Sequence, residues 1–184
     1  MDAMNILLMM LPGTPFTYYG EEIGMVDGSA SEREAYRTPM QWNTESHSGF
    51  SSGTPWLAVN TDYNDINVAS EKAKENGHVK IYEEMSELRE SETLLFGNTD
   101  MKVEGDVFVL SRVKKGNPGF VLISNFGSEE SKIDIAELPN MSDRGTLSLA
   151  SPMSEGQGIG TTIDTAEITV EAHQSLLLTF VPKF

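Results

Sequence analysis

Gly13-Thr14-Pro15-Phe16-Thr17-Tyr18-Tyr19-Gly20-Glu21-Glu22-Ile23-Gly24, followed by Arg37-Thr38-Pro39-Met40-Gln41-Trp42, decides how this chain is to be read. Pro12-Gly13 breaks the preceding apolar run, and Phe16 to Tyr19 reads as a brief, fully buried strand. Gly20 and Gly24 bracket a turn that carries Glu21 and Glu22. The following loop then brings two arginines, Arg33 and Arg37, close to Trp42. Strand, turn, carboxylates and guanidinium forks in that order describe the rim of a concave ligand site at the carboxyl end of a barrel strand.

Working outward, Ala3 to Leu11 is rich in Leu, Met and Ile and unbroken by Gly or Pro, which predicts a buried helix with Met4, Met9 and Met10 as core filling. Val26 to Val68 is long and polar with little periodicity. A loop of that length is functional or disordered, and the embedded Trp42, Phe50 and Trp56 predict an ordered one. A helix is expected over Gly77 to Glu90, with Ile81, Met85 and Leu88 on one stripe and Glu83, Glu84 and Glu87 opposite. Ser70 to Glu75 reads as a turn before it.

Beyond Ser91 the texture becomes that of an antiparallel sandwich. Strands are expected at Val107–Val113, Phe120–Asn125, Lys132–Ile135, Thr146–Leu149, Thr162–Ile163, Ile168–Val170 and Ser175–Val181. Gly156-x-Gly158-x-Gly160 has the wrong spacing for a dinucleotide fingerprint and reads as a turn. This change of texture divides the chain into 1–92 and a β-sandwich over 93–184.

Composition narrows the partners. A formal net charge of -15 disfavours nucleic acid and anionic membrane surfaces, which both require Lys and Arg. The absence of cysteine excludes disulfides and thiolate metal sites. His47, His78 and His173 are isolated in sequence, so no metal site is expected. No apolar run reaches the length of a membrane span, and Met1-Asp2-Ala3 lacks the basic start of a secretory signal.

Gly13-x-Pro15-x4-Gly20-x-Glu22, Arg33-x3-Arg37-Thr38-Pro39-Met40-Gln41-Trp42 and Gly49-Phe50-Ser51 resemble glycoside hydrolase family 13 in its α-glucosidase (maltase) branch. The resemblance covers the C-terminal end of that family: the eighth barrel strand, its active-site loop, the last helix ending Ser86-Glu87-Leu88-Arg89, and the C-terminal β-domain; it implies that 1–92 is the C-terminal part of a (β/α)8 barrel and 93–184 the β-sandwich domain. Departures are Asn43, where the family carries Asp, and Glu34, where it carries Asp. The resemblance implies a retaining, exo-acting enzyme on terminal α-linked glucose, with a maltose-like oligosaccharide as partner.

By the same resemblance the nucleophile, the acid/base and a His-Asp pair lie on earlier strands, before Met1. No catalytic residue is therefore expected in this chain, and alone it is expected to be inactive. Arg33 is the expected sugar-binding residue, with Glu22, Arg37, Tyr19 and Trp42 supporting the site. No cofactor is expected here, although calcium is an option for the missing part. A secreted or cell-surface location is the expectation, otherwise left open. A second reading is kept: the heavy chains of heteromeric amino-acid transporters look like α-glucosidases. A third, a free-standing sugar-binding sandwich, leaves the first half of the chain without purpose.

Overall fold

A computed structural model describes residues 1–29, 31–152 and 158–184. Gly156 of the glycine-rich turn lies outside the described residues. The chain forms two compact units, one of residue 1 with 16–83 and one of residues 2–15 with 84–184. This division differs from a single cut after residue 92, because the first helix packs with the sheet.

The second unit is a sheet domain. A six-stranded antiparallel sheet runs in the order β1 (Asn98–Glu104), β2 (Val107–Val113), β3 (Gly119–Asn125), β8 (Ser175–Phe180), β5 (Arg144–Ser151) and β6 (Thr162–Asp164). β4 (Ser131–Ile133) pairs with β7 (Ile168–Val170) in a second, small sheet. Alternation assigns one face to each set of side chains. Val109, Val121, Ile123 and Leu178 of the large sheet meet Ile133, Ile168 and Val170 of the small one in a single buried cluster. That cluster is the sandwich core.

The opposite face of the large sheet carries α1 (Asp2–Met10), which packs on β3. Met9 and Met10 are buried as expected, but Met4 is 58% exposed, so it does not fill the core. Two arginines hold the end of this helix. Arg112 of β2 donates to the carbonyls of Met10 at 2.7 Å and Leu94 at 2.8 Å, and Arg89 donates to those of Met9 at 3.1 Å and Leu11 at 3.0 Å. Carbonyls at a helix C-terminus are orphan acceptors at the negative end of the dipole, so cations are the fitting partners. Burial, with Arg89 second, lowers the Arg112 pKa below the ordinary guanidinium value.

The first unit has little regular structure. It contains 3-10 turns at Glu32–Arg37 and Ser46–Gly49 and the short helix α2 (Val68–Ala73), where only a turn was expected. Asn67 caps α2 by accepting the Ser70 N–H at 2.8 Å, and Glu71 of the helix is buried. The helix α3 (His78–Arg89) begins one residue after Gly77 and buries Val79, Ile81 and Met85. Within the unit, Ile23, Met40 and Val79 form a small apolar cluster.

One expectation is corrected here. Phe16 to Tyr18 has no regular structure and Tyr19 begins a turn, so this stretch joins no sheet among the described residues, and Phe16 is 86% exposed and Tyr18 54% exposed. A barrel strand is buried by neighbours paired on both edges, and no such neighbour stands among the described residues. Tyr18 is therefore not a core side chain.

Candidate sugar-binding hollow

The site is assembled by the turn after Phe16–Tyr19 and by the loop from Arg37 to Leu57. At the turn, Gly20 adopts φ +92°, where a side chain would be strained. Its N–H donates to Glu22 Oε2 at 2.8 Å. One carboxylate oxygen of Glu22 is thus spent on holding its own turn. The Tyr19 hydroxyl donates to the Thr38 carbonyl at 2.8 Å, tying the turn to the start of the Thr-Pro-Met-Gln-Trp segment. Partial burial, with Tyr18 second, keeps the Tyr19 phenol above its ordinary 10.0, so it remains a donor at neutral pH.

Gln41 is the buried pivot of that segment. Its Nε2 donates to the Ile66 carbonyl at 2.5 Å and to Asp62 Oδ1 at 3.3 Å. Its backbone carbonyl accepts from Val68 N at 3.0 Å. Trp42 follows, half exposed. The Ser48 carbonyl accepts the N–H groups of Trp42 at 3.0 Å and Asn43 at 3.3 Å, and Ser48 Oγ donates to the Asn43 carbonyl at 3.0 Å. The loop returns on itself through this clasp and presents Phe50 beside Trp42.

The result is a hollow of about 480 Å³ lined by Tyr19, Glu22, Arg37, Pro39, Met40, Trp42, Phe50, Pro55, Trp56 and Leu57. Its volume lies in the range of small-molecule sites. Four of the residues singled out from the sequence, Tyr19, Glu22, Arg37 and Trp42, come together here.

Arg33 does not line the hollow; it is exposed at the other end of the Glu32–Arg37 turn. The geometry of a 3-10 turn accounts for this. At three residues per turn, positions four apart are rotated by about 120°, whereas an α-helix would have stacked them. Phe50 and Trp56, expected only as residues that order the loop, also line the hollow, as does Pro55, which was not singled out. The aromatic character of Phe50 and Trp56 inside a polar stretch was the available signal.

Among the described residues, one carboxylate, Glu22, lines the hollow. Among the described residues no group of His, Asp or Glu side chains is arranged to hold a metal ion. The arrangement can stack a ring, hydrogen-bond it through a guanidinium, and exclude water on one side. It does not place two carboxyl groups about one bond, as glycosidic cleavage requires.

Comparison with known proteins decides the family. The family model described as "Alpha amylase, catalytic domain" matches residues 1–97. This chain belongs to the alpha-amylase family, glycoside hydrolase family 13. Maltase 1 of Drosophila virilis is 30% identical over 96% of this chain and 32% of its own length. The amino acid transporter heavy chain SLC3A1 of Rattus norvegicus is 33% identical over 96% of this chain and 27% of its own. Among solved structures, a trehalose-6-phosphate hydrolase from Bacillus licheniformis superposes with a TM-score of 0.79 at 20% identity, covering 97% of this chain and 38% of that one. The fold is thus that of the end of a (β/α)8 barrel enzyme and its C-terminal β-domain. The chain spans about a third or less of the length of these relatives.

Proposed function

We propose that this chain is the substrate-rim and C-terminal portion of a retaining α-glucosidase that releases terminal glucose from maltose-like ends. The observation that carries this reading is the convergence of Tyr19, Glu22, Arg37 and Trp42 on one hollow. Membership of the family and the similarity to a maltase support it. Arg37 is the proposed sugar contact: its planar fork of donors suits vicinal hydroxyls and any carboxylate beside them. Arg33, exposed and outside the hollow, is reserved for a contact with parts of the longer protein.

Glu22 holds the turn and performs no proton transfer. The nucleophile and the acid/base are contributed by other parts of the longer protein, as is calcium if the enzyme uses it. The test is hydrolysis of maltose by the longer protein. Arg37→Ala is expected to lower kcat/KM by about 100-fold, roughly 2.7 kcal/mol of transition-state stabilisation. An unchanged kcat/KM would remove Arg37 from the site.

The similarity to the amino acid transporter heavy chain favours a second reading, an accessory subunit with no sugar turnover. A longer protein that fails to hydrolyse any α-glucoside, yet co-purifies with a multi-spanning membrane partner, would select it.

A further inference from the structure

β1 ends the six-stranded sheet: one of its edges pairs with β2 over seven residues, and the other pairs with no strand among the described residues. The backbone N–H and C=O groups that point out from that edge form a ready ladder for another extended segment. The register on β2 fixes which side chains accompany them. Met101 and Val103 stand opposite Leu110 and Phe108, on the face that carries α1, and are 54% and 69% exposed. Asp100, Lys102 and Glu104 alternate with them on the other face. The partners of Lys102 and Glu104 there, Val109 and Val107, belong to the sandwich core.

This strand is complementary to itself in one register. When two copies lie antiparallel about Met101, each Asp100 stands opposite Lys102 of the second copy. The Met101 and Val103 side chains of both copies then share one apolar strip. Centring the pair on Lys102 instead sets that ammonium against its own copy and Asp100 against Glu104. Centring it on Asp100 sets that carboxylate against itself. Opposite charges directly across a strand pair attract and like charges repel, so the charges select the register about Met101. A formal net charge of -15 opposes loose association of copies, so a pairing that holds has to be specified locally.

We infer that β1 is a homodimer interface, in which two copies pair antiparallel about Met101 and join their sheets across a two-fold axis. Such an interface is isologous, and the two Asp100–Lys102 pairs are equivalent. Lys102 is already held in the single chain: its Nζ donates to the Asp134 carbonyl at 2.9 Å and meets Glu104 Oε2 at 2.8 Å. Part of the cost of ordering that long side chain is therefore met before a copy arrives.

Sedimentation velocity on the 184-residue chain tests this, at about 0.15 M salt, where repulsion beyond about 8 Å is screened. A monomer–dimer equilibrium is expected. Asp100→Lys places lysine against lysine at both pairs, and Lys102→Asp places aspartate against aspartate. Each is expected to raise the dissociation constant at least about tenfold. Mixed in equal amounts, the two variants regain opposite charges at both pairs and should form a heterodimer about as tight as the original dimer. A chain carrying both substitutions should dimerise by itself, which also shows that the altered strand folds.

A chain that stays monomeric at concentrations up to about 1 mM would overturn the inference. Dimers indifferent to both single substitutions would place association on another surface and overturn it too. So would single variants that dissociate but stay monomeric when mixed, because the charge pairing would then not be the one described.

Discussion

His47, Ser48 and Gly49 take successive left-handed conformations, with φ of 54°, 57° and 65°. Non-glycine residues hold such angles only when their surroundings over-determine them, at about 1–3 kcal/mol each. Here the clasp between Ser48 and the backbone of Trp42 and Asn43 supplies that determination. Gly49→Ala would add strain at φ 65° and bring a Cβ within 2.7 Å of Asn43 Oδ1. It should destabilise the loop by about 1–3 kcal/mol, read as a lower midpoint in urea unfolding followed by tryptophan emission.

Arg112 is the costliest polar side chain to lose. Its removal in Arg112→Ala takes away the donor to the carbonyls of Met10 and Gly97 and one of two guanidinium donors to that of Leu94, Arg89 being the other at 3.0 Å. A loss of about 3 kcal/mol or more is expected in denaturant unfolding. Glu84 offers a pH test. Partial desolvation of this largely exposed side chain, with Glu87 second, raises its pKa above the ordinary carboxylate value of 4.5 in the folded state. The folded protein therefore holds this proton more tightly, and its stability falls as pH rises from 4.5 through the raised value. Glu84→Gln should raise Tm at pH 7, and the gain should vanish below pH 4.5, where the carboxyl is neutral in both states.

Elements were readable wherever burial imposed a period. β2, β3 and β8 carry near-continuous apolar runs and stand where the sequence places them. β1 and α4 (Glu92–Phe96) did not announce themselves. β1 is an edge strand with a largely polar sequence, held by its ladder to β2 rather than by its side chains. Its open edge exposes Met101 at 54% and Val103 at 69%. Such an edge invites pairing between copies. Val103→Lys should reduce self-association in sedimentation velocity and change stability by less than about 0.5 kcal/mol.

The turn between Gly20 and Gly24 was foreshadowed by its glycines, whereas the tie from Tyr19 to Thr38 went unannounced. The exclusion of Arg33 was not, because the 3-10 character of residues 32–37 is a tertiary outcome that carries no apolar periodicity.

At the scale of the whole molecule, the chain holds a sheet domain with its own buried core and a loop-rich unit with a small one. The sandwich cluster includes buried residues from β2, β3, β4, β5, β7 and β8, whereas the cluster around Ile23 has three buried members. Local stability follows such packing. Amide exchange should therefore be slow in β2, β3 and β8, and in α1, and fast across residues 16–60.

On the proposed reading, these residues furnish a rim for a sugar without the paired carboxyl groups that cut its bond. Incubating the purified 184-residue chain with 4-nitrophenyl α-glucoside tests that claim directly. The predicted result is no nitrophenol above the uncatalysed rate. Sustained turnover, lost in Glu22→Gln, would contradict it.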